Sequence, residues 1–163
     1  MLQLTTSSVE ETEVLGEKLG ELARPGMLVL LTGDLGAGKT AFARGVARGL
    51  GVEGPVTSPT FTLVEEHQGK IPFYHLDVYR LNDPEELVDI GYEEYTDGDG
   101  LCLIEWGDLV REWLATEQLE IKINGVGERR TLTFIPQGSQ YEQLVKELTE
   151  SVAASFRDSN ADA

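Results

Sequence analysis

Gly33-Asp34-Leu35-Gly36-Ala37-Gly38-Lys39-Thr40 fits the pattern G-x-x-x-x-G-K-[ST]. The pattern has a physical reason. Glycines let the backbone curl so that successive N–H groups point inward at phosphate oxygens. The N-terminus of a following helix adds partial positive charge. Lys39 is then placed to reach the β and γ phosphates of a nucleoside triphosphate, and the Thr40 hydroxyl offers Mg2+ the hard oxygen it prefers. The flanks agree with this reading. Met27 to Thr32 is almost wholly apolar, as a central strand buried on both faces is. Lys39 to about Leu50 reads as a helix ended by Gly51. A chance glycine-rich turn requires neither neighbour.

Working outward from the loop, Leu2 to Thr5 alternates like a short strand. Ser8 caps an expected helix through about Ala23, with Glu11 at the capping-box position and Leu15, Leu19 and Leu22 as its apolar stripe. Beyond the loop helix, Gly54-Pro55 and Ser58-Pro59 mark an extended segment. Thr60 to His67 and Ile71 to Arg80 predict a hairpin around Gln68-Gly69. Asp83-Pro84-Glu85-Glu86 is a helix start, and Leu101 to Ile104 is a second fully apolar strand. A helical stretch near Gly107 to Ala115, strands at Leu119 to Asn124 and Arg130 to Ile135, and a helix from Ser139 to about Ala154 follow. The order of elements predicts an α/β, P-loop NTPase fold: a single sheet with a parallel core and antiparallel additions, flanked by helices. Residues 1–154 are expected to form the one domain and residues 155–163 a disordered polar tail.

Composition narrows the function classes. Thirteen basic residues face 29 acidic ones, for a formal net charge of −16. Gripping nucleic acid or an anionic membrane needs clustered Lys and Arg, and no basic run exists. In a nucleic-acid pathway, a partner should therefore hold the substrate. No run of about 18 apolar residues is present to span a bilayer. Met1 to Thr6 lacks the basic and apolar regions of a signal peptide. The single cysteine, Cys102, between Leu101 and Leu103, reads as a buried thiol in a reducing compartment. Together these predict a cytoplasmic protein.

Hydrolysis needs more than a phosphate loop: a metal-side acid and something to orient water. Glu105 directly follows the apolar strand, and in open α/β sheets ligands gather at the carboxyl ends of strands. A carboxylate there can serve as a Walker B acid, although Asp is the usual residue; an ordinary polar strand end gives the same spacing. Asp77 is the second candidate. Phe73, His75, Asp77 and Tyr79 share one face of an extended segment, a pattern that a half-solvated antiparallel strand also produces. His75 by itself reads better as a hydrogen-bonded structural histidine than as a catalyst. Thr60, in Ser58-Pro59-Thr60-Phe61, lies where GTPases keep a γ-phosphate sensor, and a rigid connection between two elements explains it equally well. Asp97-Gly98-Asp99-Gly100 matches the GTPase signature D-x-x-G but precedes a strand instead of following one, so it reads as a tight acidic turn. No Asn-Lys-x-Asp sequence is present to read guanine.

Several segments together resemble the TsaE (YjeE) family, bacterial ATPases needed to make threonylcarbamoyladenosine in tRNA. Beside the phosphate loop these are Ser58-Pro59-Thr60-Phe61 with Leu63-Val64-Glu65, and His75-Leu76-Asp77-Val78-Tyr79-Arg80-Leu81. Asp83-Pro84-Glu85-Glu86-Leu87 and Ile104-Glu105-Trp106 complete the set, and the resemblance spans roughly residues 1–136. It implies ATP and Mg2+ as cofactors. It implies that Thr40 and Glu105 hold the metal, that Asp77 matters for activity, and that Thr60 lies in a switch-like loop. Trp106 would sit beside the nucleotide, which a packed aromatic after a strand is compatible with, and Val9 and Arg130 would border it. It also implies docking on a complex of TsaD, which transfers the threonylcarbamoyl group, and TsaB, with tRNA reached only through that complex.

Two other functions fit a small P-loop protein. A small-molecule kinase usually needs a lid that supplies several arginines; here Arg111, Arg129 and Arg130 are few and scattered. A nucleotide-sensing adaptor would bind without hydrolysing.

Overall fold

The structure, a computed structural model, describes residues 1–33, 38–56, 64–78, 83, 85–114 and 116–161. In chain order the elements are β1 (Leu2–Thr6), α1 (Val9–Leu22), β2 (Leu28–Gly33), α2 (Lys39–Gly49), β3 (Val64–Gln68), β4 (Pro72–Asp77), α3 (Glu86–Asp89), α4 (Tyr92–Thr96), β5 (Leu101–Glu105), a 3₁₀-helix (Gly107–Trp113), β6 (Gln118–Val126), β7 (Arg129–Gln137) and α5 (Ser139–Ala161). The strands make one seven-stranded sheet in the order β1-β7-β6-β2-β5-β4-β3. Its centre is parallel: β2 pairs with β5 and β6, and β5 pairs with β4. The outer pairings β1/β7, β6/β7 and β3/β4 are antiparallel. This is the mixed α/β architecture that the order of elements predicts, with the apolar β2 at its middle.

Alternation along the strands sorts two cores. Val29, Leu31, Phe73, Leu103, Ile121 and Phe134 face α1, α2 and α5. Leu28, Leu30, Leu76, Cys102 and Ile104 face the other way, against α3, α4 and the 3₁₀-helix. Cys102 is a free, buried thiol, as its apolar neighbours predict. At the start of α1 the Ser8 hydroxyl accepts from the Glu11 N–H at 3.1 Å. The returning Glu11 carboxylate takes the N–H of Ser7, one residue earlier than in the usual capping box.

α2, which carries the end of the phosphate loop, is pinned by glycines. A Cβ added at Gly45 would lie 2.0 Å from the Glu13 carbonyl oxygen, and one at Gly16 would lie 2.3 Å from that of Phe42. α1 and α2 therefore meet backbone to backbone, and neither position accepts even alanine without moving a helix. The Tyr141 hydroxyl of α5 accepts the Leu28 N–H at 2.8 Å and ties that helix to the start of β2. α5 itself runs to Ala161, past the end expected near Ala154, because Ser155 to Ala161 contains neither Gly nor Pro to stop it.

Candidate nucleotide site

The carboxyl ends of β2, β5 and β4 lie side by side. Leu31 pairs with Glu105, and Asp77 pairs with Glu105 on the other side. By alternation Glu105 shares the strand face of Leu103, and Asp77 that of Phe73, both in the core that faces α2, so the carboxylates sit on the side of the sheet from which α2 starts. Gly33 ends β2 at φ +124, and a Cβ there would lie 2.0 Å from the Ile123 carbonyl oxygen. Only glycine combines that left-handed backbone with that approach. Gly38 caps α2 at φ +93. Asp34, Leu35, Gly36 and Ala37 lie outside the described residues, as do Thr60 and Tyr79.

Lys39 is 95% shielded from solvent at the first position of α2. Its ammonium donates to the Gly33 carbonyl at 3.3 Å and stands 4.0 Å from the centroid of the Trp106 ring. That ring is held there by an unusual backbone. Trp106 has φ +65, alone among the described non-glycine residues, and its N–H donates to the Leu31 carbonyl at 2.8 Å. A left-handed tryptophan costs about 1–3 kcal/mol, which the surrounding structure must offset. Thr40, the next residue of α2, is half-buried in its first turn.

Glu105 is almost wholly buried, and its Oε2 lies 2.6 Å from His75 Nε2. Burying a carboxylate demands such a partner. The structure thus joins Glu105, the candidate acid, to the histidine that the sequence reads as a hydrogen-bonded structural residue. Asp77 is half-buried at the end of β4, and the Val78 N–H donates to the Glu105 carbonyl at 3.3 Å.

Arg130 also reaches the loop. A Cβ on Gly38 would lie 3.2 Å from Arg130 Nε. Its Nη1 donates to the carbonyls of Gly127 and Arg129 at 2.5 and 2.9 Å. Val9, 42% exposed, opens α1 three residues after Thr6, the register partner of Arg130.

One cluster beside the site has no counterpart in the sequence reading. Arg111, on the 3₁₀-helix after Trp106, donates to both Glu120 oxygens at 3.1 and 2.7 Å, and the Thr32 hydroxyl donates to Oε2 at 3.2 Å. Burial pushes the Glu120 carboxyl up, but the Arg111 fork, the Thr32 hydroxyl and Lys122 together hold it below the usual range. The network braces the segment after Trp106 against β6 and β2. An Arg and a Glu nine residues apart give no sequence signal without the sheet order.

Comparison with known proteins points to one family. The family described as "Threonylcarbamoyl adenosine biosynthesis protein TsaE" matches residues 6–132. The tRNA threonylcarbamoyladenosine biosynthesis protein TsaE of Bacillus subtilis is 45% identical over 150 residues, covering 91% of this chain and 94% of that protein. Its namesake from Haemophilus influenzae is 40% identical over 137 residues, covering 80% and 86%. The crystal structure of Bacillus subtilis YdiB superposes with a TM-score of 0.78 at 39% identity, over 92% of this chain and 95% of that one. With its phosphate-loop strand and helix beside paired carboxylates, and with similarity along nearly its whole length, the chain belongs to the TsaE family.

Proposed function

We propose that this protein binds ATP with Mg2+ and hydrolyses it in support of the threonylcarbamoyladenosine modification of tRNA, acting with TsaD- and TsaB-type proteins. The observation that carries the reading is the topology: Lys39 opens α2 after β2, Glu105 pairs with Leu31 on the neighbouring β5, and Asp77 pairs with Glu105 on β4. Phosphates would lie against the N-terminus of α2 and the Lys39 ammonium. That ammonium is already stripped of water, so meeting a phosphate requires little further desolvation of the protein side.

The donor set fits Mg2+. Among the described residues no group of three or more His, Cys, Asp and Glu gathers around a point as a dedicated cage would. Hard oxygens from Thr40 and Glu105, completed by phosphates and water, are how Mg2+ is ordinarily held. When bound, the ion would neutralise charge on the β and γ phosphates. Asp77, one strand over, supplies a second carboxylate to orient water. Thr60 stays assigned to a switch-like loop.

The charge of −16 supports work through partners that hold the tRNA. Among the described residues no helix is long and apolar enough to cross a membrane, and a role in tRNA modification supports a cytoplasmic location. The kinase alternative needs arginines over the transferred group. Arg111 is instead engaged by Glu120, and Arg130 by backbone carbonyls.

Coupling to partners makes two demands on one assay. Phosphate release should rise when TsaD and TsaB are added, by roughly 10³-fold or more if docking supplies a missing finger or orders a loop, as in other P-loop enzymes. Thr60→Ala should blunt the rise. A rate indifferent to the partners sinks the coupling, and a normal rise in Thr60→Ala removes that loop as its route.

A further inference from the structure

His75 is wholly buried in β4, and its environment is divided. On one side its ring stacks on Phe73, with centroids 5.7 Å apart and planes 13° apart, and Phe73 stacks in turn on His67 at 5.9 Å. On the other side Nε2 meets Glu105 Oε2 at 2.6 Å. An ionised glutamate only accepts, so Nε2 carries the proton of this bond. Nδ1 has no hydrogen-bond partner among the described residues. A position that served packing alone would be filled better by leucine or phenylalanine, because an imidazole buried with one nitrogen unpaired costs free energy. The interaction at Nε2 is what the histidine contributes.

We propose that His75 is a positioning residue for Glu105: the stacked ring, fixed by Phe73, holds the carboxylate in one orientation before metal and nucleotide arrive. A glutamate side chain has three rotatable bonds and loses rotamer freedom on ordering. His75 removes that cost from the binding step, in the manner of the outer partners that orient metal ligands elsewhere. The inference rests on the reading of Glu105 as the metal-side acid.

Mn2+ titrated into the ADP-loaded full chain, with free Mn2+ read by its paramagnetic resonance signal, tests it without turnover. His75→Leu should weaken Mn2+ binding by about 10- to 100-fold, with ADP affinity in metal-free buffer unchanged. His75→Gln keeps an N–H donor in a milder replacement and should recover most of the loss. In a Glu105→Gln background, adding His75→Leu should change Mn2+ affinity no further. Wild-type Mn2+ affinity in folded His75→Leu, with Glu105→Gln impaired, overturns the positioning role alone. A loss from His75→Leu that persists undiminished in the Glu105→Gln background also overturns it, since the histidine would then be merely structural. Wild-type affinity in Glu105→Gln instead overturns the metal-side reading of Glu105.

Discussion

Lys39→Ala is expected to abolish most of the affinity for ATP while leaving the fold intact. The ammonium is a buried cation poised between the Gly33 carbonyl and the face of Trp106. The ammonium is largely shielded from water, so a polyphosphate arriving at the start of α2 meets a desolvated cation. Truncating one side of such a pair costs about 2–5 kcal/mol, or roughly 30-fold to several thousand-fold in affinity. The fold should tolerate the change: alanine is the best helix former, and the substitution removes a buried charge from the free protein. Titration calorimetry with ATP, beside thermal unfolding of both proteins, checks this. ATP affinity equal to wild type would mean that the phosphates bind elsewhere.

Glu105→Ala is expected to reduce hydrolysis by about a hundredfold, the scale of one misplaced catalytic contact, with much less effect on nucleotide binding. The phosphate contacts of the loop and Lys39 survive, and a metal-side carboxylate is lost. The structure adds a complication. Alanine strands the Nε2–H of the fully buried His75, and an unsatisfied buried donor costs about 1–3 kcal/mol of stability. Glu105→Gln is the cleaner variant, because its amide oxygen still accepts from His75 while the negative charge is gone. Both variants should hydrolyse slowly, but only Glu105→Ala should also melt earlier. Turnover equal to wild type in Glu105→Gln would remove Glu105 from the chemistry.

What was legible in the sequence follows from how far apart the cooperating residues lie. The backbone signals that flank the loop are local: Gly33 and Gly38 occupy left-handed backbone, and Lys39 and Thr40 open the helix that follows. The apolar strands β2 and β5 were equally plain, since burial on both faces leaves no alternation. The His75–Glu105 bond was not legible, because it joins residues 30 apart and depends on the register of β4 against β5. Face alternation did place Phe73, His75 and Asp77 together, but not what they face. The strand pair β6/β7 was expected, yet the parallel pairing of β6 with β2, which brings Glu120 to Arg111 and Thr32, required the sheet order. The left-handed Trp106 gave no signal at all, since nothing in Ile104-Glu105-Trp106 announces a positive φ.

Lys39 and the two strand-end carboxylates are proposed to form a hydrolytic site. Single-turnover phosphate release from ATP, with protein in saturating excess, tests it most directly. Stoichiometric ADP and free phosphate are expected in the presence of Mg2+, with release that disappears with EDTA or in Glu105→Gln. ATP that remains bound and intact through the same incubation, with or without TsaD and TsaB, would contradict it and leave a nucleotide-sensing adaptor in its place.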